Sequence, residues 1–146
     1  IYMIEAAAQM YCSPQVDYSS YTYRVDGKQV LLVQIESKKN KPVYAKNEEG
    51  KLLAYVRVKD ENILATPVHL RIWQQDKSSN GELITFTERE QLLLKLLEAE
   101  IPLSLNKYCR KAGISRRAAE HLLAKFIRFD IVEMVFSHHK FLFKLK

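Results

Sequence analysis

The chain has 146 residues, 47% of them hydrophobic and 27% charged, which is the composition of folded domains and leaves room for one ordinary domain or two small ones. No apolar run approaches the ~20 residues that span a bilayer, and the opening "IYMIEAAAQMY" lacks the basic region of a secretion signal, so a soluble, cytoplasmic protein is expected. The net charge of +6 is unevenly placed: within 104–129, Lys107, Arg110, Lys111, Arg116, Arg117, Lys125 and Arg128 face only Glu120, a concentration that favours a polyanionic partner.

Along the chain, "IYMIEAAAQM" carries apolar residues at 1, 3, 4 and 7 and reads as a short helix ended by Ser13-Pro14. Because the chain opens at Ile1 inside this helical pattern, it is expected to be the C-terminal piece of a longer polypeptide. "SYTYRV" and "QVLLVQIES" flank Asp26-Gly27, a strong hairpin signal. A second hairpin is predicted from "PVYAK" and "LLAYVRVK", joined around Asn47-Glu48-Glu49-Gly50. Thr66-Pro67 then opens a helix "PVHLRIWQQ" as an N-cap with proline in the first helical position. Apolar residues stop in "QDKSSNGE", 75–82, and the domain boundary is placed there: a first domain over 1–75, a linker over 76–81 and a second domain over 82–146.

The second part begins with Thr87 and, three residues on, Glu90, the spacing of a capping box, with Leu93, Leu96 and Leu97 on the buried face and Pro102 as a stop. A shorter helix is predicted over 105–112, a turn at Gly113-Ile114, and a third helix over 116–129, with Ala118, Leu122, Leu123, Phe126 and Ile127 facing the core. "IVEMVF" and "KFLFKLK" make two strands around residues 137–140. Helix, helix, turn, helix and hairpin in that order predict a winged helix-turn-helix, so the fold class expected is α+β.

In this reading Gly113 gives the turn its backbone freedom and Ser115 caps the third helix. Arg116, Arg117, Glu120, His121 and Arg128 are left on the outer face, where the first turn of a recognition helix meets phosphates and base edges, and Lys140 with His138 and His139 forms a wing tip. A charged helix face is also the ordinary solvated face of a packed helix, and two arginines at a helix start oppose the macrodipole by ~0.3–1 kcal/mol each. Adjacent His138 and His139 point to opposite faces of a strand and do not make a metal site, and Cys12 and Cys109 imply neither a disulfide framework nor a zinc site. No phosphate loop, HExxH or GxSxG occurs, so no catalytic constellation and no cofactor is expected.

Within "ESKKNKPVYAKNEEGKLLAYVRVKDENILATP", Lys38, Lys39, Lys41, Lys46 and Arg57 interleave with Tyr44 and Tyr55. Such a surface can hold phosphates and stack bases, or equally be a tyrosine–valine core with lysines along a sheet edge. This stretch, from Val30–Ser37 through "KPVYAK" (41–46), "YVRV" (55–58) and Asn62–Ala65, resembles the C-terminal half of the Schlafen Alba-type domain of bacterial transcriptional regulators, proteins that carry a winged helix-turn-helix after it. The resemblance covers about half the chain; the family's upstream "E.K" and "N..GG" segments, which would hold any acidic metal-binding residues of a nuclease, are absent from these residues.

What the resemblance implies is nucleic-acid binding, with Lys41, Lys46 and Arg57 at the positions that match the family. The expected partner is therefore double-stranded DNA, with no membrane role, and a homodimer is expected from paired half-sites and an unpaired sheet edge. The alternatives are the nucleic-acid-gripping part of an RNA- or DNA-processing enzyme, or a winged-helix module that assembles with protein.

Overall fold

Asp26 and Gly27 both take positive φ, 50° and 76°, the backbone of a two-residue turn whose twist matches the strands on either side. In the computed structural model, which describes residues 1–37, 42–75 and 86–146, this turn joins β2 (Tyr18–Val25) to β3 (Lys28–Ile35) in register from Tyr18↔Ile35 to Val25↔Lys28. The chain has mixed helix and strand and divides into two units, Ile1–Leu64 and Ala65–Lys146. The expected linker at 76–81 and Lys38, Lys39 and Lys41 lie outside the described residues.

The first unit opens with the expected helix, α1 (Tyr2–Ala6), which widens into a π-turn over Ala7–Tyr11 that the sequence pattern does not predict. β1 (Cys12–Ser13), β4 (Tyr44–Lys46) and β5 (Leu52–Leu53) form one antiparallel sheet in the order β1-β4-β5. Asn47 shapes the β4–β5 connection: its Oδ1 accepts the Lys51 N–H at 2.7 Å, and Gly50 sits at φ 80°. The single strand expected over "LLAYVRVK" is broken at Ala54. Its second part, β6 (Tyr55–Val58), pairs with β7 (Glu61–Leu64), which the sequence pattern does not predict as a strand. Three small sheets leave little interior: among the described residues of this unit, only Ala8 and Ala54 are buried hydrophobic side chains.

In the second unit, α2 (Pro67–Gln75), α3 (Glu88–Ala99), α4 (Leu105–Ala112) and α5 (Arg116–Arg128) surround one core with a sheet ordered β8 (Leu103–Ser104), β10 (Lys140–Leu145), β9 (Val132–Ser137). The expected helices over 105–112 and 116–129 and the closing hairpin are present; β8, two residues long, had no sequence signal. Val68, Leu93, Leu97, Leu103, Tyr108, Ala119, Leu123, Ala124, Phe126, Val132 and Phe143 form the core, with Leu96, Leu122 and Ile127 packed against it. Each large aliphatic or aromatic member contributes about 1.5–3 kcal/mol by leaving water.

α2, read from sequence as the close of the first domain, belongs to this second unit: Val68 is 1% exposed and Ile72 packs on the core. The units therefore divide after Leu64 rather than at 75–82. At the start of α2, His69 takes the position a capping glutamate takes elsewhere. Its Nδ1 accepts the Thr66 N–H at 3.1 Å and lies 2.8 Å from Thr66 Oγ1, while its ring meets Phe141 edge-on at 4.6 Å.

Glu90 closes the capping box by accepting the Thr87 N–H on Oε2 at 2.6 Å. Its other oxygen receives Lys125 Nζ from α5 at 2.8 Å, in a pair only 10% and 4% exposed. Burial alone would raise the Glu90 pKa, but the hydrogen bonds from Lys125 and Thr87 and the lysine charge outweigh it and hold the carboxyl below its usual range.

Trp73, the single tryptophan, lies in α2 and reports on the second unit. Lys125→Ala strands a buried carboxylate and is expected to cost about 3 kcal/mol in urea denaturation followed by Trp73 fluorescence. By contrast, Lys144→Ala, which breaks the half-exposed pair with Glu133, is expected to cost less than ~1 kcal/mol.

A second expectation concerns pH. Burial lowers the His69 pKa from 6.5, and an Nδ1 that accepts a hydrogen bond must be unprotonated. The unfolded chain thus takes up the proton first, so this contribution to stability is present above about pH 6.5 and is lost as pH falls below it. Melting temperature measured from pH 7.5 down to 5.5 is expected to drop, and His69→Gln to flatten that drop.

Candidate nucleic-acid interface

The basic stretch is positioned by two capped helices and the turn between them. Ser104 Oγ accepts the Lys107 N–H at 3.3 Å at the start of α4. Gly113 ends that helix in the left-handed region, φ 62° and ψ 31°, where an L side chain is strained. Ser115 Oγ accepts the Ala118 N–H at 3.2 Å, so Ser115 is occupied as the cap of α5. Beyond it, Arg116 and Arg117 are both exposed in the first helical turn.

These two arginines are placed differently. Arg116 donates from Nε to Glu120 Oε1 at 3.2 Å and from Nη1 to Asn106 Oδ1 at 3.0 Å, tying α5 to α4 while its side chain stays 62% exposed. Arg117 makes no ion pair among the described residues. His121, one turn on, is exposed, and Arg128 is half-buried.

Glu120 is not on the outer face. It is buried at 5% exposure, held between Arg116 and Arg71, whose Nη2 approaches Oε2 at 3.6 Å. The physical reason is α2: spacing within α5 alone leaves this flank open, and the returning helix lays Arg71 against it. Ala124, four residues on and on the same side, is fully buried as well. The exposed strip of α5 is accordingly narrower than the sequence pattern implies, running through Arg117 and His121.

The positive charge is also more neutralised than a window over 104–129 indicates, because the fold brings in Glu90 and Glu100 from outside that window. Lys125 is spent on Glu90. Lys107 and Lys111 both pair with Glu100, and their hydrogen bonds hold its carboxyl below the usual range. Arg110, exposed in the last turn of α4, joins Arg117 as a basic group with no ion pair among the described residues. It had a sequence signal, its place in the basic cluster, without being singled out as a contact.

At the tip of the β9–β10 hairpin, His138 and His139 both have positive φ, 49° and 58°. Ser137 Oγ lies 2.9 Å from His138 Nδ1, the His139 ring stands edge-on to Phe136 at 6.5 Å, and Lys140 is exposed beside them.

The candidates in the first unit fall on separate sheets. Arg57 and Tyr55 share the exposed face of β6, where Arg57 Nη1 donates to Asn62 Oδ1 across the hairpin at 3.0 Å. Val56 and Val58 face the other way and are half-buried. Lys46 is exposed on β4, beside a half-buried Tyr44, and Lys41 lies outside the described residues. Among the described residues, a surface of alternating rings and cations is present only as the Tyr55–Arg57 pair.

Among the described residues, no helix is long and apolar enough to cross a membrane and no group of His, Cys, Asp or Glu is arranged to hold a metal ion. A scan against family models and searches of curated proteins and of solved structures found no match to this chain.

The different placement of the two arginines has a measurable signature. Arg116→Ala removes a bridge to a buried carboxylate and is expected to lower stability by about 1 kcal/mol, whereas Arg117→Ala is expected to leave the urea midpoint, read by Trp73 fluorescence, within ~0.5 kcal/mol of the parent chain.

Proposed function

We propose that residues 65–146 are a winged helix-turn-helix that binds double-stranded DNA, with α5 as the recognition helix and β9–β10 as the wing. The observation that carries this reading is the exposed Arg117 beside Arg116 in the first turn of α5, next to a dipole that favours anions over cations. Arg117, Arg110 and the wing's Lys140 supply phosphate contacts. Arg116 is held rigidly through Nε and Nη1 and presents what remains of its guanidinium to a base edge or phosphate. Glu120 is a positioning residue for Arg116 and makes no contact with bases.

On this reading the first unit is part of a Schlafen Alba-type domain, its motifs being "KPVYAK" and "YVRV", with Arg57 and Lys46 as secondary contacts. We read the chain as part of a bacterial cytoplasmic transcriptional regulator. One observation favours a second reading, a protein-assembly module: α2 occupies the flank of α5 that an open recognition helix would offer to a groove.

Fluorescence anisotropy of a labelled mixed-sequence duplex, from about 50 to 200 mM salt, separates the two readings. DNA binding predicts affinity that falls steeply with salt, and for Arg117→Ala a loss of affinity with the log–log salt slope shallower by about 1. Binding that is absent at the lowest salt, or identical for parent and variant, overturns the α5 contact and favours the assembly reading.

A further inference from the structure

We infer that His69 is a positioning residue for the wing: it ties the tip of the β9–β10 hairpin to α2, and through α2 to α5, so that wing and recognition helix meet DNA as one body. The consequence for binding rests on the winged-helix reading above, whereas the tie itself belongs to the free chain. Among the described residues, the core reaches along the hairpin as far as the pair Met134↔Phe143. The short strand β8 holds β10 one residue further, at Leu142. From Phe143 to Lys140 the hairpin thus projects about 10 Å at the rise of a strand, and it ends in a turn where His138 and His139 both take positive φ. A row of rings braces this projection. Phe141 and Phe136 are cross-strand partners with centroids 4.8 Å apart, and Phe136 meets His139 at 6.5 Å. On the α2 side Phe141 meets the His69 ring edge-on at 4.6 Å, and His69 lies 5.9 Å from Trp73, one turn along the helix. Arg71, two residues from His69 and so on another side of α2, reaches Glu120 Oε2 at 3.6 Å, and Glu120 also accepts Arg116 Nε. One helix therefore touches both the wing and the first turn of α5.

His69 makes this tie in its neutral form. Its Nδ1 accepts the Thr66 N–H at 3.1 Å; a protonated ring loses that acceptor, leaves the start of α2 uncapped and carries a charge into a half-buried site. The groups that face it are Thr66 and Trp73 from α2 and Phe141 from β10. Of the charges on these two elements, Arg71 is turned to Glu120, and Lys140 and Lys144 leave β10 on the face opposite Phe141, Lys144 paired with Glu133. Burial is accordingly what lowers the His69 pKa. A wing released from His69 leaves an ordinary imidazole that takes up the proton first, so release grows as pH falls below about 6.5. The exposed His121, His138 and His139 work in the opposite sense on DNA, because a proton on any of them adds positive charge at the interface.

The test has one arm without DNA and one with it. In the free chain, heteronuclear NOEs of the His139 and Lys140 amides, followed from about pH 7.5 to 5, are expected to fall with the midpoint of the His69 ring resonances. His69→Gln, whose amide oxygen can cap Thr66 without titrating, is expected to show tip order that is constant over the same range. In the second arm, anisotropy on the mixed-sequence duplex is measured at about pH 7.5. Lys140→Ala is expected to weaken the parent about threefold and make its log–log salt slope shallower by about 1. In a His69→Ala background the same change is expected to have less than half that effect, whereas Arg117→Ala weakens both backgrounds by the same factor, which shows that the fold and the α5 contact survive. Tip amides that keep their order through the His69 titration, or that follow the His138 and His139 resonances instead, overturn the tie, as do additive effects of His69→Ala and Lys140→Ala in a chain that binds DNA. A chain that binds no duplex overturns the DNA reading alone, and the NOE result then upholds or overturns the tie by itself.

Discussion

One buried ion pair ties together the parts of the second unit that everything else leans on. Lys125 Nζ reaches Glu90 from the last turn of α5, while the other Glu90 oxygen takes the backbone N–H of Thr87 at the head of α3. A carboxylate with little access to water needs all of its partners, and a lysine so enclosed needs its counter-charge. The start of α3 and the axial rotation of α5 are consequently set by the same group. With α5 fixed in rotation, Ala119, Leu123 and Phe126 turn inward and Arg117 and His121 turn out. Tyr108 is wedged into the same interior, its phenol pushed up to about 12 chiefly by burial, with its hydroxyl 3.5 Å from the Arg89 carbonyl.

Polar chemistry recurs on the opposite flank of α5. Glu120 lies between Arg71 and Arg116, and Arg116 continues to Asn106. Three helices are thus joined by one carboxylate at the edge of the candidate interface. Arg116 is therefore both an exposed cation and a structural strut, and loss of binding on its removal would be ambiguous, whereas Arg117 carries no such double role.

Local rules made much of this legible. The Thr87–Glu90 box, the left-handed Gly113, the Ser115 cap and the Asp26-Gly27 turn each depend on a few adjacent residues, and each is found where the sequence puts it. What escaped depends on distant partners. Lys125 reads only as one member of a basic cluster, and Glu120 as an outer-face charge, because their partners, Glu90 and Arg71, are far away in sequence. β7 and β8 are short and exist through the strands they pair with. The polarity of 75–82 marked a break in hydrophobic pattern, but a helix before that break packs on helices after it. Of the candidate contacts, Arg117, His121 and Lys140 are exposed as anticipated, Ser115 is committed to capping, and Glu120 is enclosed.

The membership of α2 bears on how the molecule can be dissected. Severing the chain at the polar stretch after Gln75, where composition invites the cut, would remove Val68 and Ile72 from the core, leave the His69 contact with Phe141 unmade, and open the Glu120 side of α5 to water. A shortened protein of that kind would present a broader cationic helix than the intact chain possesses, and its binding behaviour would describe a surface that α2 normally covers. Any fragment meant to represent the second unit has to begin at or before Ala65.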